Sequence, residues 1–138
     1  MPNHYHLLIE VKANCDVSNM MKNLIISYTK AINLRYNVVG HLFQRRFRSK
    51  EVDSEHYLLT LVRYIHNNPV AAQLVSKIED WKYSSYTEYI GLQEAMISSP
   101  EKVMLLFKTI EEFKAFSEGL PLKAHRTMLS ELFPRSTW

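Results

Sequence analysis

LFQRRFRSKEV, residues 42–52, is the stretch on which the reading of the chain as a mixture of strands and helices turns. Apolar and basic side chains interleave through it, as in a strand that buries one face, because successive side chains of a strand point to opposite sides. Gly40, just before it, breaks the preceding helical period. A strand here has a positively charged face, and residues 41–50, which carry Arg45, Arg46, Arg48 and Lys50 with Phe43 and Phe47 interleaved, form the most basic window of the chain, with no acid among them.

Working outward, LLIEV (7–11) is short and alternating and reads as a first strand, with His4 and His6 at its start. Between the two strands, Asp16 and Ser18 offer N-caps to a run of apolar positions at helical spacing, Met20, Met21, Leu24, Ile25, Tyr28, Ala31, Ile32 and Leu34, ending at about Tyr36. After residue 52, Asp53 or Ser54 can cap a helix whose stripe is Tyr57, Leu58, Leu61, Val62 and Ile65. That helix is expected to stop near Asn68, because Pro69 disfavours helical geometry in the residue before it. A short apolar piece, VAAQLV, follows, then WKYSSYTEYIG (81–91) as a turn leading into a short helix. Ser99-Pro100-Glu101 starts another helix, and Thr109 with Glu112 has capping-box spacing for one ending near Gly119.

The bulk numbers set limits. A chain of 138 residues, 46% hydrophobic, is the size of one ordinary domain with its own core. A single cysteine, Cys15, excludes an internal disulfide framework and a multi-cysteine zinc site, so a reducing, cytoplasmic setting is expected. No leader pattern opens the sequence and no apolar run reaches the roughly 18 residues of a membrane span. There is no repeat, low-complexity segment or Gly/Ser linker. A net charge of +3 and a pI near 9.0 permit a polyanionic partner without demanding one.

Two patterns carry chemistry. His4 and His6, two residues apart on a strand, share a face and can present two imidazoles to one ion. Tyr64 and Asn68, four apart on a helix, also share a face, and the Asn68 amide oxygen is a hard ligand. A neutral tyrosine is a poor nucleophile until a metal or base organises its reaction. Taken singly, the first pair reads as partly exposed histidines at a chain start, and the second as a core tyrosine and a helix-terminating asparagine.

Taken together, MPNHYHLLIE (1–10), GHLFQRRFRSKEV (40–52), YLLTLVRYIHNNPVAAQLV (57–75) and DWKYSSYTEYIG (80–91) resemble, in order and spacing, the REP-associated branch of the HUH single-tyrosine transposases, which are IS200-like. The resemblance covers residues 1 to about 91. It implies that His4 and His6, flanking Tyr5, are the HUH pair that binds Mg²⁺ or Mn²⁺, that Asn68 is the third metal ligand and that Tyr64 is the nucleophile. It further implies an α+β, ferredoxin-like (RRM-like) antiparallel sheet with helices on one face, a transposase domain over 1–91 and a C-terminal helical extension over 92–138. The family's first strand and helix precede the histidine motif, so they are expected to be missing from a chain that begins three residues before His4.

The implied activity is a metal-dependent endonuclease and strand transferase acting on single-stranded, hairpin-associated DNA through a 5′-phosphotyrosine, as a monomer or homodimer. The alternative within the family is a catalytically inactive DNA-binding relic, and outside it a small metal-binding protein. Arg45, Arg46, Arg48 and Lys50 are candidates for phosphate contacts, Phe43 or Phe47 for base stacking, and Arg63 for contact with DNA or solvent. His66 lies on another helical face from Tyr64 and is not assigned to the metal. His41 and His56 read as structural, and Trp81, Tyr83, Tyr86 and Tyr89 as packing aromatics.

Overall fold

A computed structural model describes residues 1–118. These form α1 (Val17–Tyr36), α2 (Glu55–Ala71), a 3₁₀ turn (Ile78–Asp80), α3 (Tyr86–Tyr89), α4 (Glu101–Met104) and α5 (Ile110–Glu118). No strand occurs among the described residues, so the expected ferredoxin-like antiparallel sheet is corrected to a helical architecture. Alternation only permits a strand; its existence depends on pairing with a neighbour. Neither 7–11 nor 42–52 forms a β-bridge. Leu7, Ile9 and Val11 are 52, 42 and 52% exposed, so the first alternating segment buries no continuous apolar face. In the second, Phe43 and Phe47 are half-buried and the four basic side chains exposed, so the sidedness survives without a sheet.

The chain divides into two compact units, Ile9–Glu51 and Met1–Leu8 joined with the chain from Val52 onward. In the first, Asp16 caps α1 by accepting from the Asn19 amide at 3.0 Å. The helix ends at Asn37, which adopts the left-handed conformation that lets a helix close its last carbonyls. Asn33 then donates to the Gly40 carbonyl at 3.1 Å, and Gly40 sits at φ +106°, where a Cβ is strained. This unit holds eight basic residues (Lys12, Lys22, Lys30, Arg35, Arg45, Arg46, Arg48, Lys50) against three acids (Glu10, Asp16, Glu51).

In the second unit α2 is the central element. Ser54 caps it, accepting from the Tyr57 amide at 3.3 Å. The expected stop near Asn68 is also corrected: α2 runs through Pro69 to Ala71. Proline forfeits one helical hydrogen bond and crowds the preceding turn, but Asn68 and Pro69 are both buried and the ladder resumes at once, with the Ala72 amide donating to the Asn68 carbonyl at 3.0 Å. Burial here outweighs local preference.

Helices α3 and α4, four residues each, are far too short to stand alone and are held by packing. Val62 of α2 forms a core with Ile78, Tyr86, Ile90, Val103 and Phe113, around which Leu8, Leu58, Leu59, Val70, Tyr89, Met104 and Phe107 pack. The capping expected at Thr109 is present, since its hydroxyl accepts from the Glu112 amide at 3.1 Å. The expected end of that helix at Gly119 lies outside the described residues. Among the described residues no helix is long and apolar enough to cross a membrane.

His66 lies inside this core at 2% exposure. Its Nε2 is 3.1 Å from the Ser85 hydroxyl, its Nδ1 has no hydrogen-bond partner, and its ring meets Tyr86, Tyr89 and Phe113 edge-on at 5.4, 5.0 and 6.1 Å. Burial pushes its pKa down from 6.5 to about 4. The unfolded chain therefore takes up a proton that the folded one refuses. Stability is complete above pH 6.5 and is lost as pH falls toward 4, by at most about 1.4 kcal/mol per pH unit and about 3 kcal/mol in all. Urea midpoints measured at pH 7, 5.5 and 4.5 should fall in that order, and His66→Gln should flatten the decline. Equal slopes in the two proteins would refute the assignment.

Candidate functional site

Tyr64 and Asn68 occupy one face of α2, one turn apart, while Arg63, His66 and Asn67 point to other arcs of the same helix. Tyr64 is 2% exposed and, with Leu61, forms a small core against Leu8, Val52, Tyr57 and Ile65. The His6 ring lies edge-on to the Tyr64 ring at 5.4 Å, and the His4 ring edge-on to His6 at 5.1 Å. Three of the four residues singled out from sequence thus form a chain of ring contacts. No strand aligns the histidines; Leu8, packed on the Tyr64 core, anchors the segment that carries them.

Burial favours the neutral forms of Tyr64 and His4. Burial raises the Tyr64 pKa above its ordinary value, so the phenol keeps its proton at neutral pH. Partial burial, and secondarily the positive chain terminus, lower the His4 pKa. The shift favours the uncharged imidazole, the form that can ligate a cation. His4 Nδ1 lies 2.7 Å from Asn3 Oδ1; with the proton on Nδ1 this bond leaves the Nε2 lone pair available. Asn68 is 7% exposed and its Nδ2 has no hydrogen-bond partner, so no donor bond fixes which way its amide faces. Among the described residues no group of three or more His, Cys, Asp or Glu could hold a metal. An ion at the histidine pair would need the amide, substrate oxygen and water to complete its shell.

The remaining candidates lie elsewhere. Arg45, Arg46, Arg48 and Lys50 are exposed in the Ile9–Glu51 unit, and Phe43 is half-buried there, 6.2 Å from the Tyr28 ring. Arg63 is engaged on the other side of α2: its Cζ lies 4.9 Å from the Phe116 ring centroid and burial lowers its pKa. His41 and His56 are exposed. Of the aromatic group, Tyr86 is fully buried and Tyr89 packs on Phe113, whereas Tyr83 is 73% exposed with the Lys82 ammonium 4.8 Å from its ring centroid.

Sequence reading passed over Asn67, whose amide nitrogen donates to the Arg63 carbonyl at 2.9 Å and to the Ser117 carbonyl at 2.8 Å. Its second acceptor is a main-chain group fifty residues away, which no local pattern marks.

Residues 1–68 match the family described as Transposase IS200 like, a span that contains His4, His6, Tyr64 and Asn68. This segment belongs to that family. No match was found among curated proteins or among solved structures. The IS200-like segment thus carries the DNA-processing character of a transposase, and its match ends inside α2. The 3₁₀ turn and α3 to α5, which bury the other side of that helix, all come from later in the chain.

Proposed function

We propose that the protein is a transposase-type endonuclease and strand transferase that cleaves single-stranded, hairpin-associated DNA through Tyr64, with Mg²⁺ or Mn²⁺ held by His4, His6 and Asn68. The observation that carries this reading is the contact of the Tyr64 ring with the histidine pair on a buried helix of an IS200-like segment. Two imidazoles and one amide are a suitable donor set for an open site that leaves room for substrate oxygen. When bound, the cation supplies polarisation of the scissile phosphate and stabilises charge on the departing 3′ oxygen. The Tyr64 oxygen forms a bond to phosphorus as the bond to the 3′ oxygen breaks; the phenolic proton passes to solvent and the departing 3′ oxygen takes one up from solvent. The products are a 5′-phosphotyrosine and a free 3′-hydroxyl, and attack by another 3′-hydroxyl rejoins strands. Because Tyr64 is 2% exposed, its hydroxyl must become accessible to the DNA before it attacks, with His6 still beside it.

The test is incubation of the full chain with labelled single-stranded hairpin DNA and Mn²⁺, followed by a denaturing gel. A covalent adduct that EDTA prevents is the expected result. The burial of Tyr64 favours one second reading, a DNA-binding module without cleavage. A native-gel shift with no adduct selects it and overturns the first.

A further inference from the structure

The segment beyond the IS200-like match grips α2 on one arc. Asn67, 6% exposed, spends both amide hydrogens there, one on the Arg63 carbonyl at 2.9 Å and one on the Ser117 carbonyl of α5 at 2.8 Å. The Arg63 guanidinium lies over Phe116, and the His66 ring meets Phe113, which is fully buried. α5 is in turn tied to α3 by the Tyr86 hydroxyl, which donates to Glu118 Oε1 at 2.9 Å. At about 100° per residue, Arg63, His66 and Asn67 share an arc of α2 adjacent to the one that carries Tyr64 and Asn68. Every contact between α5 and that arc therefore resists a roll of α2 about its axis.

We infer that α5 is a brace that sets this roll, and that Asn67 is the positioning residue through which it aims the Tyr64 hydroxyl. The inference rests on Tyr64 being the nucleophile only for its catalytic consequence; the aiming itself is a matter of geometry. The lever is long: with a tyrosine oxygen about 9 Å from the axis, a roll of about 15° moves it about 2 Å. Displacements of about 1 Å at a reacting group cost about a hundredfold in rate.

The test uses the full chain labelled with 3-fluorotyrosine, the Tyr64 resonance being assigned by its loss in Tyr64→Phe. Asn67→Ala and Phe116→Ala should each shift or broaden that resonance. In single-turnover reactions with hairpin DNA and Mn²⁺, each should lower the rate constant of adduct formation about 10- to 100-fold, with DNA affinity within about twofold. A merely structural role lowers reaction amplitude in step with the folded fraction and leaves the rate constant alone. That outcome, or an unmoved Tyr64 resonance in a folded variant, overturns the brace. Should Asn67→Ala fail to fold, Phe116→Ala decides. If the wild-type chain makes no adduct, the nucleophile reading fails, while the fluorine signal still tests the brace.

Discussion

Tyr64→Phe is expected to leave no detectable covalent adduct with single-stranded DNA, a loss of at least about a thousandfold, while the chain melts within about 8 °C of the wild type. The ring that fills the small core against Leu61, Leu8, Val52, Tyr57 and Ile65 is kept, and only the hydroxyl goes. Losing one hydroxyl's interactions costs about 1 kcal/mol, or roughly 4–8 °C in a domain of this size. The chemical consequence is total, because phenylalanine has no oxygen to join to phosphorus. Tyr5 is the natural rival: it sits between the two histidines and is 41% exposed. An adduct that persists in Tyr64→Phe and vanishes in Tyr5→Phe would move the nucleophile there. Circular dichroism melts and denaturing gels on the two variants settle the matter together.

Phe113→Ala should be the most destabilising single truncation in the unit built on α2. Phe113 is 0% exposed and touches four rings: Tyr89 stacked at 5.4 Å, Phe107 edge-on at 5.3 Å, and Tyr86 and His66 at 6.1 Å each. Removing a phenyl ring from such a site costs about 3–5 kcal/mol, a large share of the 5–15 kcal/mol that typically holds a domain together. A fall in Tm of roughly 15–30 °C follows. Leu34→Ala, at an 86% exposed position of α1, should leave Tm nearly unchanged and serves as the control. If Phe113→Ala melted within about 5 °C of the wild type, α5 would not be packed on α2 as described.

What the sequence made legible was local. Asp16, Ser54 and Thr109 cap helices because each needs only the amide three residues on. The strands failed because alternation says nothing about a partner. The helix end failed because the burial of Asn68 and Pro69 depends on residues far along the chain. The apolar stripe of α1 marked the helix up to Tyr36 but not its burial: of its members only Met21 is buried, while Leu24 and Tyr28 are 49 and 52% exposed. Periodicity reports a face, not whether something covers it. At the site, the nearness of Tyr64 to His6 was not derivable from spacing and was implied only by the resemblance. Asn67 was invisible because the backbone oxygen it holds could have belonged to any residue.

Leu8 and Val52, the residues that flank the basic unit in sequence, both pack against the Leu61–Tyr64 core. The chain therefore leaves for Ile9–Glu51 and returns from it at the same small core. Two stretches far apart in sequence, 1–8 and 52 onward, are thereby stitched into one compact unit around the tyrosine-bearing helix.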